Sequence, residues 1–196
     1  AREASVARLN QGIDRAIRLV EQLLALAREE AGLGHPVAQQ RLNLQDVVQF
    51  AVADVLPQAQ ARQIDLGVGD TEPAWVQGQL DALRILLRNL LDNAIKYTPA
   101  AGRVDVALRI AGASAVLAVE DSGPGIDAEH RAHVLDRFYR AGNASGASGS
   151  GLGLAIVNTI AKRHGATLVL ERSERLGGLR AELQFRLVDD GAAGAS

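Results

Sequence analysis

Four short segments, in a fixed order, constrain the fold of this chain more than any other feature of its sequence. They are residues 89–97 (NLLDNAIKY), 121–125 (DSGPG), 137–140 (RFYR) and 149–154 (GSGLGL). A helix carrying amides, an Asp-x-Gly-x-Gly turn, a basic aromatic segment and a glycine loop are each common alone. Together, within about one domain's length, they indicate a nucleotide pocket built from residues that are distant in sequence.

Hydrophobic periodicity predicts the elements that surround these segments. Helices are expected over residues 43–62, 79–97, 127–135 and 152–164, and strands over 40–42, 64–68, 74–77, 104–110, 115–119, 168–171 and 179–187. Asn43 resembles a helix cap, Pro57 is expected to kink or shorten the first helix, and Gly165 is expected to end the last. Hairpins in place of regular βαβ alternation predict an α+β two-layer sandwich, with helices on one face of the sheet.

The amino-terminal region is predicted to be a coiled-coil-like helix. Its heptad stripe over residues 5–30 consists of Val6, Leu9, Ile13, Ala16, Val20, Leu23 and Ala27. Such a stripe needs a partner surface: either the helix docks on its own domain, or it is half of a dimerising helical hairpin, which its terminal position favours. We therefore expect a helical segment (1–31), a linker (32–39), a main domain (40–188) and a frayed tail (189–196).

Composition excludes several classes of function. The chain has 196 residues, a formal net charge of −2 and no cysteine. Disulfides and thiolate metal sites are therefore ruled out, and the charge gives no basic footprint for nucleic acid. No apolar run approaches the roughly 18 residues of a membrane helix, so any membrane attachment is expected to come from segments upstream.

The long helix carries the first candidate ligands. Asn89 and Asn93 lie four residues apart and so share a face, with Lys96 on the same side. These polar groups beside a leucine stripe are costly to bury without partners. They are either surface or capping groups, or their amide oxygens hold Mg²⁺, directly or through water, while Lys96 meets phosphate.

Asp121 is the candidate for base recognition. It follows a hydrophobic strand and precedes Gly123 and Gly125, which permit a tight backbone and close ligand approach. A carboxylate at the end of a buried strand can accept a hydrogen bond from the exocyclic amine of adenine, where guanine offers an oxygen. Taken without the other segments, this one is better interpreted as a plain Asp-Gly turn after an edge strand.

The second glycine segment is predicted to open a helix and to bind phosphate through backbone N–H groups. It is neither a Walker loop nor a Rossmann fingerprint, and alone it could be a flexible linker.

Residues 141–148 before this glycine segment are expected to form a lid. Arg137 and Arg140 are candidates for phosphate or transition-state contacts, and Phe138 and Tyr139 for packing the lid hinge; an ordinary aromatic cluster with solvated arginines is the competing interpretation.

In their order and spacing, the four segments resemble the N, G1, F and G2 boxes of bacterial sensor histidine kinases. These kinases belong to the ATPase superfamily that includes gyrase, the Hsp90 chaperones and MutL. The resemblance implies a Bergerat-type fold, ATP with Mg²⁺, and γ-phosphoryl transfer to a histidine and then to an aspartate of a response regulator. Residues 5–30 resemble the second helix of the family's dimerisation and phosphotransfer hairpin, which implies a homodimer in the cytoplasmic portion of a bacterial inner-membrane protein.

The resemblance also assigns roles by position. It implies that Asn93 is a metal ligand with Asn89 its neighbour, that Lys96 contacts phosphate, and that Arg137 and Arg140 act in catalysis. The remaining nucleotide contacts that it implies are Tyr97, Asp121, Gly123, Gly125 and Ile126 around adenine, and Gly149, Ser150, Gly151, Leu152, Gly153 and Leu154 around phosphate.

One departure concerns the phosphoacceptor. The family's acceptor lies in a His-Glu/Asp-x-Arg/Lys/Asn-Thr-Pro motif, and none of His35, His130, His133 and His164 has that context. The acceptor helix is therefore expected upstream of residue 1, so that this chain binds ATP without phosphorylating itself. Two alternatives stay open: an anti-sigma-factor-type serine kinase, and an ATP-gated module or ATPase in which Asp92 would activate water.

Overall fold

The computed structural model describes residues 39–139 and 150–188. They all belong to the second of two units into which the chain divides, Pro36–Ser196. The predicted heptad helix, the linker up to residue 38, the lid (141–148) and the frayed tail lie outside the described residues, as do Arg140 and Gly149. None of the helices in the described part is long and apolar enough to cross a membrane.

Seven strands and four helices make up the described part of the chain. In order they are β1 (Gln40–Asn43), α1 (Leu44–Ala61), β2 (Asp65–Thr71), β3 (Trp75–Gly78), α2 (Leu80–Tyr97), β4 (Arg103–Ala111), β5 (Ser114–Asp121), α3 (Ala128–Arg131), α4 (Gly153–Arg163), β6 (Thr167–Arg172) and β7 (Leu179–Arg186).

The main sheet has five strands in the order β2-β4-β5-β7-β6. Strand β2 pairs with β4 in parallel, and the other neighbours pair antiparallel. The sheet is therefore mixed, and β5 lies at its centre. Strands β1 and β3 form a separate antiparallel pair, which the sequence did not predict as a distinct sheet.

The three longer helices cover one face of this sheet. Helix α2 packs between α1 and α4, and it also contacts β4 and β5. Apolar and charged side chains alternate along the strands, so the two faces of the sheet differ in polarity. On the helix side, Val106, Leu117 and Leu183 are fully buried, whereas the other face carries charged residues such as Glu120 and Glu182. The predicted two-layer α+β sandwich is confirmed.

Helix α1 begins at the predicted cap. The side chain of Asn43 accepts hydrogen bonds from the backbone N–H groups of Gln45 (3.1 Å) and Ala74 (3.0 Å). One amide therefore caps the helix and also fixes the backbone directly before β3. Pro57 lies inside α1, which continues to Ala61. The predicted shortening is wrong, because burial of Val55 and Ala59 on either side of the proline outweighs the loss of one backbone hydrogen bond.

Helix α3 is shorter than predicted. It ends at Arg131 instead of Leu135, and turns follow. Val134 is the one buried apolar residue in this stretch, so there is no apolar stripe to stabilise a longer helix. Helix α4 ends as predicted: His164 is its C-cap and Gly165 has a φ of +64°, the left-handed conformation that glycine adopts at a helix end.

Candidate functional site

A cleft lies between α2 and the helix-covered side of the sheet. Helices α2 and α4, strands β5 and β7 and the loop after β5 all contribute to it. The residues that line it are Leu90, Asn93, Ala94, Tyr97, Val119, Asp121, Gly125, Ile126, Leu154, Leu179 and Ala181. Residues predicted from three of the four segments are thus brought together in one cavity.

Asp121 is the buried acid of this cleft, with 5% of its surface exposed. Its Oδ1 accepts hydrogen bonds from the backbone N–H groups of Gly123 (2.8 Å) and Leu179 (3.2 Å). No hydrogen bond from the described residues reaches Oδ2. Burial raises the pKa of the Asp121 carboxyl above its ordinary value, and the two backbone donors offset this only in part. One oxygen is therefore held in place, and the other is left to accept from a ligand.

Glycines allow the backbone to approach Asp121 from two sides. A Cβ on Gly123 would lie 2.9 Å from both Asp121 Oδ1 and the carbonyl oxygen of Tyr97, and a Cβ on Gly178 would overlap Asp121 Oδ1. The sequence predicted Gly123 but missed Gly178 and Leu179, whose N–H completes the site. The available clue was the Gly177-Gly178 pair directly before the last strand.

Asn93 joins the long helix to the second glycine segment. A Cβ on Gly153 would come within 3.0 Å of Asn93 Nδ2 and 3.3 Å of Asn93 Oδ1, so the first turn of α4 lies directly against the amide. Leu154, one residue further along, lines the cleft. The amide oxygen of Asn93 is the kind of oxygen ligand that Mg²⁺ accepts.

Three other residues that were predicted to contact the nucleotide, Leu152, Asn89 and Lys96, are not among the residues that line the cleft. Leu152 is fully buried, and its N–H bonds to Ser150 Oγ at 3.3 Å, so its side chain belongs to the core. Asn89 Nδ2 donates to the carbonyl of Ile85 at 2.8 Å. Lys96 Nζ lies 3.2 Å from Tyr97 Oη and 4.6 Å from the centre of that ring. The ligand roles of Asn89 and Lys96 stay predictions.

The basic aromatic segment packs on the glycine loop through its backbone. The N–H of Phe138 donates to the carbonyl of Gly151 at 3.0 Å, and a Cβ on Gly151 would lie 2.8 Å from the backbone of Phe138. Phe138 as a residue is 66% exposed, whereas Tyr139 Oη lies 2.8 Å from His130 Nδ1. The two segments are thus adjacent, and the ligand roles of Arg137, Ser150 and Gly151 stay predictions.

The geometry of the cleft fits an adenine nucleotide. Leu90, Val119 and Ala181 provide apolar walls for a base, and the available oxygen of Asp121 suits an exocyclic amine. At the other end, the first turn of α4 presents backbone N–H groups, which favour anions. The side-chain amide of Asn93 lies beside this turn.

Comparison with known proteins gives a consistent result. The family model described as "Histidine kinase-, DNA gyrase B-, and HSP90-like ATPase" matches residues 78–189. The sensor protein QseC of Escherichia coli (strain K12) is 39% identical over 186 residues, which cover 94% of this chain and 40% of QseC. The sensor protein kinase PmrB of Pseudomonas aeruginosa is 32% identical over 179 residues, 89% of this chain and 36% of PmrB.

Solved structures extend the similarity to three dimensions. The structure of the cytoplasmic segment of histidine kinase QseC is 32% identical in sequence, with a TM-score of 0.62 over 90% of this chain and 95% of that segment. The chain spans about 40% of the length of the full-length QseC sequence that it matches.

Proposed function

The chain belongs to the histidine kinase-, DNA gyrase B-, and HSP90-like ATPase family, and we propose on that basis that it is the ATP-binding catalytic portion of a two-component sensor histidine kinase. It binds ATP with Mg²⁺ and presents the γ-phosphoryl group to a histidine on another segment of the parent protein. An aspartate of a response regulator then takes that group. The observation that carries the proposal is the convergence of Asp121, Asn93 and the start of α4 on one cleft.

Asp121 selects the base. Its Oδ1 is occupied by two backbone donors, so Oδ2 accepts the exocyclic N–H of adenine. Guanine carries a carbonyl oxygen at the equivalent position, and two acceptors facing each other in a buried site repel. A site that pairs a buried polar group rejects the ligand that lacks the partner more strongly than an apolar wall could.

The phosphate end relies on positioning and on neutralising charge, which are the main requirements of phosphoryl transfer. Asn93 would hold Mg²⁺ together with phosphate oxygens, and the bound ion would balance part of the triphosphate charge. Gly153 permits this because it adds no side chain against the amide. Lys96, one turn after Asn93, is proposed to leave the Tyr97 ring and contact phosphate when nucleotide binds.

The position of Asp92 supports a kinase over a hydrolase. Its Oδ2 lies 3.7 Å from Arg88 Nε in an i,i+4 pair on the helix surface, and it is not among the residues that line the cleft. A carboxylate that pairs with an arginine on the helix surface is poorly placed to activate a water in the cleft. We therefore expect little ATP hydrolysis, and none of it should depend on Asp92.

The proposal places the chain within a longer protein. In that protein, a helical hairpin that contains residues 5–30 would form the homodimer and carry the acceptor histidine, and upstream segments would anchor a sensor in the bacterial inner membrane. The partner would be the receiver domain of a response regulator. The similarity to sensor proteins over 94% of this chain supports this arrangement.

A binding titration tests the proposal. ATP, ADP and GTP are titrated calorimetrically with and without Mg²⁺; we expect ATP and ADP to bind, GTP to bind at least about 10-fold more weakly, and Mg²⁺ to strengthen ATP binding. Incubation of the chain with labelled ATP should leave no acid-labile phosphohistidine on it. Equal affinities for ATP and GTP, or no binding at all, would refute the assignment.

A further inference from the structure

The turn between β6 and β7, residues 173–178, forms one side of the Asp121 site. Its end provides two backbone donors: the N–H of Gly178 bonds to the carbonyl oxygen of Asp121 at 3.1 Å, and the N–H of Leu179 bonds to Asp121 Oδ1 at 3.2 Å. The orientation of the carboxylate therefore depends on where this turn lies.

Ser173 organises the turn from a fully buried position, with 1% of its surface exposed. Its N–H donates to the carbonyl of Gly178 (2.8 Å), and its carbonyl accepts from Gly177 (2.9 Å). Its hydroxyl oxygen accepts from the N–H of Leu176 (2.9 Å) and its hydroxyl proton is donated to Glu120 Oε2 (2.6 Å). Because a hydroxyl both accepts and donates, one side chain joins the turn to β5.

Glu120 is a firm anchor for that hydroxyl. It directly precedes Asp121, so the two side chains point to opposite faces of the sheet. Glu120 is 9% exposed, and its Oε1 accepts from Arg180 Nη1 at 2.7 Å. Arg175, within the turn, pairs with Asp105 on β4 at 2.6 Å. Charge-assisted hydrogen bonds of this kind are shorter and stronger than neutral ones.

We propose that Ser173 is a positioning residue for base selection. By joining Glu120 to the turn, it keeps the N–H of Leu179 on Asp121 Oδ1 and so leaves Oδ2 facing the base. Without the hydroxyl, the turn loses one of its attachments to β5 and keeps the bond from Gly178 to the Asp121 carbonyl; the Leu179 donor then shifts, and the carboxylate is held less firmly. This inference rests on the proposed function, since it concerns how the same cleft distinguishes adenine from guanine.

Loss of the Ser173 hydroxyl is expected to affect only the base end of the cleft. Asn93 and Gly153, at the phosphate end, have no contact with the turn among the described hydrogen bonds and close approaches. Loss of the Ser173 hydroxyl is therefore expected to weaken ATP binding and leave the weak GTP binding unchanged. A purely structural role would lower both affinities together.

The test is the ratio of ATP to GTP affinity in Ser173→Ala. We expect the ratio to fall about 5- to 10-fold, the effect of one lost hydrogen bond. Thr71→Ala is the matched control: Thr71 Oγ1 accepts from Gln45 Nε2 at 3.2 Å, on edge strand β2, two strands from β5. Removal of that hydroxyl should leave the ratio unchanged.

A double-mutant cycle shows whether Ser173 acts through Asp121. With Asp121→Asn already present, Ser173→Ala should change the ATP to GTP ratio less than about 2-fold. Urea unfolding of each variant corrects the affinities for unfolded protein. Should Ser173→Ala not fold, Ser173→Cys, which has a similar shape and weaker hydrogen bonds, takes its place in the same measurements.

The outcomes separate the two proposals. If the unmodified chain fails to bind ATP, or binds ATP and GTP alike, the proposed function fails. If the unmodified chain selects ATP and the Ser173 variant keeps the same ratio, or loses ATP and GTP affinity equally, the positioning role of Ser173 is overturned while the proposed function stands.

Discussion

The Cα of Gly153 faces the side-chain amide of Asn93 so closely that an added Cβ would lie 3.0 Å from Asn93 Nδ2. This approach joins the start of α4 to the middle of α2. A side chain at position 153 would require the amide to shift by a few tenths of an ångström, because the distance is tighter than nine in ten real Cβ contacts. The proximity of these two residues therefore sets the space available for the proposed phosphate and metal ligands.

We predict that Gly153→Ala weakens Mg²⁺-ATP binding without loss of stability. Alanine at a helix position is favoured over glycine by roughly 0.5–1 kcal/mol, so the melting temperature should hold or rise, whereas affinity should fall about 10-fold or more. Calorimetric titration and thermal unfolding measure the two effects. Gly69→Ala is the control, because its Cβ would meet neighbours only at 3.6 Å or beyond; equal loss of affinity in both variants would contradict the prediction.

Asn93→Ala is predicted to separate metal-dependent from metal-independent binding. If the amide oxygen holds Mg²⁺ beside the phosphates, its removal should reduce ATP affinity about 10-fold or more in Mg²⁺, and much less in EDTA. Asp92→Ala, at the neighbouring position on the helix surface, should affect neither condition. A loss of affinity of the same size with and without Mg²⁺ would show that Asn93 stabilises the fold or contacts the base and does not bind the metal.

Local sequence patterns gave most of the fold. The leucine stripe predicted α2 to within one residue at its start and its end at Tyr97, and the alternation around Gly112 predicted the β4–β5 hairpin. These elements were predictable because their apolar residues face one core at a fixed period. Helix α3 was predicted too long because its sequence favours a helix, whereas little of it packs against the core.

The sequence predicted the side chains of the site better than its backbone donors. Asn93 and Asp121 stand out as polar residues beside apolar runs, and the structure places both in the cleft. Leu179 contributes through its N–H, which leaves no trace in its side chain. Its approach to Asp121 results from the pairing of β7 with β5, a contact between residues 58 positions apart that no local pattern encodes.

Asp121→Asn should stabilise the nucleotide-free domain while it abolishes base selection. Burial raises the pKa of the folded Asp121 carboxyl above its ordinary value of 3.8. The folded state therefore holds the proton more tightly than the unfolded chain does, and stability falls as pH rises from 3.8 through the folded pKa. Asparagine is neutral, so the variant does not lose this stability as the pH rises.

Thermal unfolding at two pH values tests this prediction. The melting temperature of Asp121→Asn should exceed that of the unmodified chain by a few degrees at about pH 7 and by less at about pH 3.5, where the native carboxyl is protonated. ATP affinity should fall at least about 10-fold at neutral pH. A variant that is less stable at neutral pH would show that the charge is compensated in the folded state.

The charged face of the sheet should lose stability in acid, with the opposite sign to Asp121. For Asp105, burial opposes ionisation, but the hydrogen bonds from Arg103 and Arg175 outweigh it and hold the pKa below its ordinary 3.8. For Glu182, burial is likewise outweighed, chiefly by Arg180, and the pKa lies below 4.5. Their stabilisation is therefore complete above these ordinary values and is lost as pH falls through the folded pKa values.

Urea unfolding from about pH 7 down to about pH 3 should thus show a free energy of unfolding that declines below the ordinary pKa values of 4.5 for Glu182 and 3.8 for Asp105. In Asp105→Asn the decline should be shallower, and the variant should be less stable than the unmodified chain at neutral pH, because Arg103 and Arg175 lose a charged partner. Asp65→Asn is the comparison, since Asp65 is mostly exposed and pairs with Arg103 at 3.2 Å; exposed pairs contribute at most about 1 kcal/mol. Equal acid profiles for all three proteins would show that the Asp105 cluster does not stabilise the fold.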